Sequence, residues 1–230
     1  MAEALEHPYG IINVDLIKRW FKMEPGTDTA FWALNLMKYR EVAEYADGRT
    51  GVSGREADDA YAPLGPLAAV GAMVAYLGNV KQQPVGTPVW DRVGIIRYPS
   101  RSAFLAMQER DDFKAQHEHK KAGMEFTVIL SCTPESHDPT VLPTGDLVLL
   151  ISRGDTDPFA ELPGLTQVAN FDSEGCIIGD GRHYDRARFV QVDDDAALAG
   201  VVAAAQGSDG ASVLVMRSAI DNLVESVVTA

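Results

Sequence analysis

The sequence contains few cysteines, few basic residues and no long apolar run. Cys132 and Cys176 are too few for a disulfide framework, and neither has the spacing of a metal-ligand pair. The net charge of −13 argues against nucleic acid or an anionic membrane as a partner. No apolar run approaches the roughly 18 residues that cross a bilayer, and the first ten residues, MAEALEHPYG, lack the features of a secretory signal. We therefore expect a cytoplasmic protein with free thiols.

Several catalytic motifs are also missing. The sequence has no glycine-rich phosphate loop, no G-x-S-x-G turn, no H-E-x-x-H helix and no C-x-x-C pair. These absences argue against nucleotide cofactors, serine hydrolysis and zinc proteolysis. We expect a site that contains no metal ion.

The composition is that of a globular protein with two different halves. Hydrophobic residues make up 46% of the chain and charged residues 23%, which suffices for a sizeable core. Residues 1–135 hold 15 basic and 18 acidic residues, whereas residues 136–230 hold 5 and 15. The segment 136–145 is rich in proline and polar residues, as linkers are. We predict two units, 1–135 and 146–230, joined by this linker.

One strand pattern occurs twice. Residues 90–99 read WDRVGIIRYP and residues 184–193 read YDRARFVQVD, each with an aromatic residue, Asp-Arg and then alternation. The elements around these strands follow the same order in both halves. This similarity predicts a tandem duplication.

The periodicity of apolar residues predicts the individual elements. In the first half we expect helices over 13–23, 55–70 (interrupted near Pro63 and Pro66), 102–108 and 111–123, and strands over 31–38, 72–80, 89–99 and 125–132. In the second half we expect strands over 146–153, 166–179, 183–193 and 211–218 and a helix over 195–206. Each half then reads β-α-β-β-α-β, the ferredoxin-like order of an α+β protein, with the first helix of the second copy short or missing.

The first half also resembles a known family. The stretches ALNLMKY, YAPLGPLAAVGAMVAYLG, WDRVGIIRYPSRSAFLAM and FKAQHEHKKAGME, within residues 28–134, resemble the dimeric α/β-barrel superfamily and, within it, the domain of unknown function 1330 group. The resemblance implies two ferredoxin-like sheets packed into a barrel, formed either by two chains or by the two copies within one chain. A homo-oligomer or an intramolecular pseudo-dimer is expected.

The superfamily implies a range of functions. It includes cofactor-free monooxygenases, cyclases, isomerases, haem-degrading monooxygenases and stress-responsive binding domains. Its duplicated members include chlorite dismutases and dye-decolourising peroxidases, which hold haem. His7, His137 and His183 could each ligate a haem iron, but their surroundings do not resemble those of the haem-binding relatives.

Asn35 and Tyr61 are candidate site residues in the first copy. Asn35 interrupts an apolar strand, and the simplest alignment of the two copies sets it against Leu149. It is either a satisfied core amide or a group that orients a carbonyl or an oxyanion in a pocket. Tyr61 lies on a helix that the second copy lacks, and it either packs in the core or donates a hydrogen bond to a ligand.

The stretch HEH at 117–119 contains two candidate acid–base residues. Residues two apart on a helix point in very different directions, so His117 and His119 cannot bind one metal ion together. Either histidine could reach a pocket as a general acid or base; the alternative is a solvated or structural role. The second copy lacks this segment.

The remaining candidates lie on or beside strands. Asp91 either acts as a base or binds loop backbone at the start of its strand. Alternation places Trp90 and Tyr98, candidate substrate contacts, on one face, and Val93 and Ile95 on the other, which we expect to pack on the helices. Two cations, Lys38 and Arg40, follow a strand and either bind an anionic substrate or are solvated.

The asymmetry of the two copies predicts a pocket for a small, largely apolar molecule in the first copy. We expect an enzyme without a nucleotide cofactor, an isomerase, cyclase, lyase or monooxygenase, that acts on a small carbonyl or phenolic compound. A non-catalytic small-molecule-binding or stress-response domain is the first alternative. A haem enzyme is the second.

Overall fold

A computed structural model describes residues 5–24, 26–135, 145–154 and 156–228, with side chains from residue 8 onward. The strands are β1 Leu5–His7, β2 Gly10–Ile12, β3 Phe31–Tyr39, β4 Met73–Val85, β5 Arg92–Tyr98, β6 Met124–Pro134, β7 Leu147–Ser152, β8 Leu165–Gly179, β9 Arg186–Val192 and β10 Ser212–Asp221. The helices are α1 Val14–Trp20, α2 Gly54–Ala60, α3 Leu64–Ala69, α4 Arg101–Glu109, α5 Asp111–Gly123, α6 Asp195–Gln206 and α7 Leu223–Val228. No helix of these ranges is long and apolar enough to cross a membrane.

Eight of the strands form one closed antiparallel barrel. Their order is β8-β6-β3-β5-β4-β10-β7-β9, and β9 pairs again with β8 to close the ring. The hairpin of β1 and β2 extends the sheet from the end of β8. The expected α+β class is confirmed, and the barrel forms within one chain. In each half the strands lie in the order fourth, first, third, second.

The barrel interior is filled with apolar side chains. Alternate residues of β3 and β7 point inward, among them Trp32, Leu34 and Leu149. Helix α7 packs against this core, where the indole N–H of Trp32 donates a hydrogen bond to Ser226 Oγ at 2.9 Å. An eight-stranded barrel is just wide enough for side chains to fill it.

The prediction for the two faces of β5 was wrong. Val93 and Ile95 lie in the barrel interior, whereas Gly94 and Tyr98 face the helices. Alternation assigns residues to two faces but does not identify which face the helices cover. In a closed barrel both faces are buried, so both carry apolar residues.

The two halves share hydrogen bonds at equivalent positions. Before β5, the amide of Asp91 donates to Met37 O at 2.9 Å, and its carboxylate accepts from the Tyr39 amide at 2.8 Å. Before β9, the amide of Asp185 donates to Ser152 O at 3.0 Å, and its carboxylate accepts from the amide of Gly154, at 2.6 Å. The repeated Asp therefore binds backbone at the end of the neighbouring strand in both halves, β3 in the first and β7 in the second.

Helices α4 and α5 begin differently. Ser100 caps α4, with its hydroxyl accepting from the Ala103 amide at 3.0 Å. Helix α5 has Arg110 at its N-cap without a side-chain bond, and neither Asp111 nor Asp112 caps it. Both carboxylates lie in its first turn, where their negative charges interact favourably with the positive end of the helix dipole.

Helices α2 and α5 cross at two glycines. A Cβ on Gly123 would lie 2.4 Å from Gly54 O, and one on Gly54 would lie 2.5 Å from Gly123 O. Both contacts are with backbone, which cannot move as a flexible side chain can. Helix α5 includes Gly123, and close packing is the reason for glycine there.

Replacement of Gly123 by alanine should therefore destabilise the protein by about 2–3 kcal/mol through overpacking. The matched control is Gly65→Ala in α3, where an added Cβ meets nothing within 4 Å; it should stabilise by about 0.5–1 kcal/mol. Urea unfolding of both variants measures the difference. Equal stabilities for the two variants would contradict the proposed packing constraint.

Candidate functional site

A cavity of about 300 Å³ lies between the outer face of the sheet and the helices of the first half. Strands β3, β4 and β5 form its floor, and helices α2 to α5 form its walls and roof. The cavity is also lined by Tyr9 from the N-terminal hairpin, Ile129 from β6, Ile178 from β8 and Ile220 from β10. Leu64 and Ile220 line the cavity and are 61% and 36% exposed, which marks its mouth.

The cavity exists because small residues occupy the floor. Ala33 and Gly94 both line it, and Gly94 is paired in the sheet with Asn35. At the equivalent position of the second half stands Arg188, which forms a buried ion pair with Asp157. The segment before β8 also buries Phe159 against that sheet. Side chains therefore fill the corresponding space in the second half.

Asn35 faces the cavity from β3. Its Nδ2 donates to Ala33 O at 2.9 Å, and only 8% of the residue is exposed. No donor among the described residues reaches Oδ1, which leaves this oxygen and the second amide hydrogen available to a ligand. The strand pairing shows that Asn35 is equivalent to Leu150, so the expected alignment with Leu149 was off by one residue. In a strand, a shift of one residue moves a side chain to the opposite face, and Leu149 points into the barrel.

Helix α5 presents one stripe of side chains to the cavity. Phe113, His117 and Lys120 are spaced by four and three residues, so they share a face. His117 Nε2 forms a short hydrogen bond with Tyr9 Oη. Burial, reinforced by the charges of Tyr61 and Asp58, raises the pKa of Tyr9 well above its ordinary value. Tyr9 therefore keeps its proton at neutral pH and can donate it to a neutral His117 Nε2.

Lys120 is an amine buried in the cavity wall. It is 8% exposed, and its Nζ lies 5.6 Å from the ring centroid of Tyr9 and 5.4 Å from that of Tyr61. Burial lowers the pKa of Lys120, and the charge of Asp58 opposes this shift. No acceptor among the described residues hydrogen-bonds its Nζ. Aromatic rings attract an ammonium group only weakly compared with a carboxylate.

A buried ion pair forms the polar end of the cavity. Asp58 Oδ2 accepts from Arg92 Nη1 at 2.9 Å and from Tyr39 Oη at 2.6 Å. The same guanidinium donates to Asp59 Oδ1 at 2.7 Å and to Asn79 Oδ1 at 3.0 Å. Arg92 therefore has carboxylate partners on both terminal nitrogens, and Asp58 already accepts two strong hydrogen bonds.

Tyr61 and Tyr98 also line the cavity, as expected for site residues. Tyr61 is the C-terminal cap of α2, and its ring lies 6.2 Å from that of His117. Tyr98 on β5 stacks on Phe31, and its hydroxyl points at Met107 Sδ. Burial raises the pKa of both hydroxyls above their ordinary value, so both stay protonated at neutral pH.

The other candidate residues lie elsewhere. His119 Nδ1 is 2.8 Å from Tyr45 Oη on the outer side of α5. Asp91, Lys38 and Arg40 line a separate open cleft, where Lys38 Nζ is 3.2 Å from an Asp91 carboxylate oxygen. Trp90 is buried in the barrel interior and stacks on Phe126. The cavity thus brings together four of the nine candidates: Asn35, Tyr61, Tyr98 and His117.

Several polar residues of the cavity were not anticipated, among them Tyr9, Asp58, Arg92 and Lys120. Lys120 carried a usable signal, since it follows Phe113 by seven residues and His117 by three. Its place beside Lys121 suggested a solvated charged segment instead. Tyr9 comes from a hairpin that the sequence did not predict, and Asp58 meets Arg92 only through the tertiary fold.

The described residues do not fit haem as they are arranged. The cavity volume is at the lower end of the range for drug-sized ligands, and the Nε2 atom of His117 is already hydrogen-bonded to Tyr9. His183 is paired with Asp185 at 2.6 Å, away from the cavity. His137 and the side chain of His7 lie outside the described part of the chain. Within that part, no three His, Cys, Asp or Glu residues are grouped as metal ligands.

Neither a family model nor a curated protein matches this chain. Similar solved structures include a protein of unknown function from Rhodopseudomonas palustris, with 25% identity and a TM-score of 0.44 over 51% of this chain and 89% of its own. A chlorite dismutase variant from Candidatus Nitrospira defluvii covers 91% of this chain and 98% of its own, with 9% identity and a TM-score of 0.47. A protein from Lactobacillus acidophilus NCFM, named as a candidate monooxygenase, covers 83% and 94%, with 9% identity and a TM-score of 0.41. The barrel neighbours belong to the dimeric α/β-barrel superfamily, and the narrower resemblance to domain of unknown function 1330 stays a prediction.

Replacement of Asn35 by leucine tests whether the amide serves a ligand. Leu150 occupies the equivalent position of the second half, so the sheet accommodates leucine at this point. We expect Asn35→Leu to fold with unchanged far-UV circular dichroism and to weaken ligand binding at least about tenfold, because a hydrogen bond is lost and the cavity shrinks. Unchanged affinity, measured by calorimetry, would show that Asn35 is only a core amide.

Proposed function

We propose that this protein is an enzyme that acts without a nucleotide cofactor on a small, largely apolar carbonyl or phenolic compound bound in the cavity. The reaction is an isomerisation, cyclisation, lyase reaction or oxygenation. The proposal rests chiefly on one observation: a largely apolar cavity in which three polar features face the same space. They are the histidine–tyrosine pair, an amine with no hydrogen-bond acceptor among the described residues, and an amide whose oxygen accepts no hydrogen bond from them.

The walls of the cavity suit a compact apolar substrate. Aliphatic and aromatic side chains cover most of its surface, among them Met37, Leu67, Ile96 and Phe113. A volume of about 300 Å³ is at the lower end of the range for small-molecule sites and therefore favours a small ligand. The two carboxylates of the cavity already have cationic partners, because Asp58 and Asp59 both bond to Arg92 and Asp59 also pairs with Arg55 at 3.8 Å, so they do not demand a cationic substrate.

The polar groups divide into two roles. Asn35 can accept a hydrogen bond from a phenolic hydroxyl through Oδ1, or donate one to a carbonyl through Nδ2. The Tyr9–His117 pair can transfer a proton, because imidazole titrates near neutral pH and Tyr9 holds its proton there. Tyr61 adds a further donor beside the imidazole ring.

The division into units 1–135 and 146–230 belongs to the same proposal. We infer that they are tandem ferredoxin-like copies and that the second became a structural partner. The equivalent contacts of Asp91 and Asp185 and the equal strand order support this view. Side chains fill the space of the second half that corresponds to the cavity of the first half, which is consistent with a single site per chain.

The alternatives predict different measurements. A binding or stress-response domain would hold a ligand tightly without turnover. A haem enzyme would show a Soret band after reconstitution, and His117 would first have to give up its bond to Tyr9.

His117→Ala should lower turnover by about 10²–10⁴-fold, the usual contribution of a general acid–base group. The control is His119→Ala, which lies two residues away on the outer side of the same helix and should retain wild-type turnover. The assay is a panel of small aldehydes, ketones and phenols, first ranked by thermal shift and then followed for product by mass spectrometry. Loss of activity in His119→Ala alone would place the site outside this cavity, and binding without turnover would favour the binding domain.

A further inference from the structure

We propose that Lys120 is the nucleophile of the cavity and forms a protonated imine with the carbonyl carbon of an aldehyde or ketone substrate. This inference rests on the proposed function and narrows its substrate class to carbonyl compounds.

The position of Lys120 separates it from other lysines of the chain. Lys38, Lys81 and Lys114 each have a carboxylate within 4 Å. Lys120 is instead 8% exposed, lines the cavity and lies between two tyrosine rings. Asp58, the acid whose charge acts on Lys120, is already bonded to Arg92 and Tyr39.

This environment favours a reactive amine. A lysine attacks a carbonyl only as the neutral amine, and desolvation stabilises that form. Burial lowers the pKa of Lys120, with Asp58 opposing the shift. The neutral fraction at neutral pH is therefore larger than for a solvated lysine such as Lys121, its exposed neighbour.

The imine step balances without an external oxidant or reductant. The lone pair of neutral Nζ forms a bond to the carbonyl carbon while the C=O π electrons move to oxygen. Proton transfer from nitrogen to oxygen gives a carbinolamine, and loss of one water, with a proton supplied by the site, leaves a protonated C=N bond. Hydrolysis reverses these steps and restores the amine.

The Tyr9–His117 pair is placed to serve the imine. Tyr9 lies beside both Lys120 and His117. When the carbon next to the protonated imine loses a proton, the C–H electrons form a C=C bond and the C=N π electrons return to nitrogen. The proton goes to the Tyr9 oxygen while the Tyr9 proton passes to His117 Nε2. With a β,γ-unsaturated substrate this step gives a dienamine. The imidazolium can return the proton through Tyr9 to the γ-carbon while the nitrogen lone pair re-forms the C=N bond, so the C=C bond moves to the α,β position, which is an isomerisation.

Reductive trapping with benzaldehyde tests the proposal. The full-length protein is incubated with benzaldehyde and sodium cyanoborohydride across a pH series, and the labelled lysine is identified by peptide mass mapping. We expect one benzyl group on Lys120, at least tenfold ahead of Lys121, with the pH profile of Lys120 shifted toward lower pH. Lys121→Met should keep the adduct, whereas Lys120→Met and Lys120→Arg should lose it.

Labelling in order of exposure, with Lys121 and Lys114 ahead of Lys120, would overturn the imine. The wild-type map decides this even if a Lys120 variant folds poorly, and a melting curve checks each variant. Saturable binding of benzaldehyde without an adduct on Lys120 would overturn the imine and leave the proposed function intact. If no carbonyl or phenolic compound binds, both the imine and the proposed function are contradicted.

Discussion

The filled interior of the barrel is the constraint on which the location of the site depends. Eight strands close a ring whose inner space is occupied by side chains such as Trp32 and Leu149. The side chains leave no room for a ligand inside this ring, and the cavity lies instead on the outer face, between the sheet and the helices. In the second half, Arg188 and Phe159 occupy that space. The first half keeps its cavity because Gly94 has no side chain.

The helices of the first half then determine the chemistry of this cavity. The close contact of Gly54 and Gly123 fixes α2 against α5. This contact brings the carboxylate of Asp58, carried by α2, near the amine of Lys120, carried by α5. An amine without a hydrogen-bonded partner in an apolar wall costs stability, and such groups are typical of functional sites rather than of cores. A few residues on α2 and α5 therefore both hold the helices together and place the polar groups of the cavity.

Much of the fold could be predicted from the sequence, but less of the site. The alternation of apolar residues and the repeated Asp-Arg pattern identified the strands. The asymmetry of the two copies predicted that the pocket lies in the first half, where the cavity is found. The sequence missed the N-terminal hairpin and α7, which are short and carry weak periodicity. It also placed Asp91 and Lys38 with the site, although their contacts are local to the strand ends. Contacts such as Arg92 with Asp58 join distant segments, so no local pattern reveals them.

The central claim is that a small molecule binds in the cavity of the first half, and filling that cavity from its floor tests it most directly. A Cβ on Gly94 would lie 3.3 Å from Met37 Cε, a flexible atom, so the strand should accept a larger residue whose side chain enters the cavity. The measurement is the dissociation constant of the best-binding carbonyl or phenolic compound for wild type and Gly94→Leu, by calorimetry. The account predicts that affinity falls at least about tenfold with the barrel still folded. Equal affinity in a folded variant would contradict it, because the ligand would then bind elsewhere.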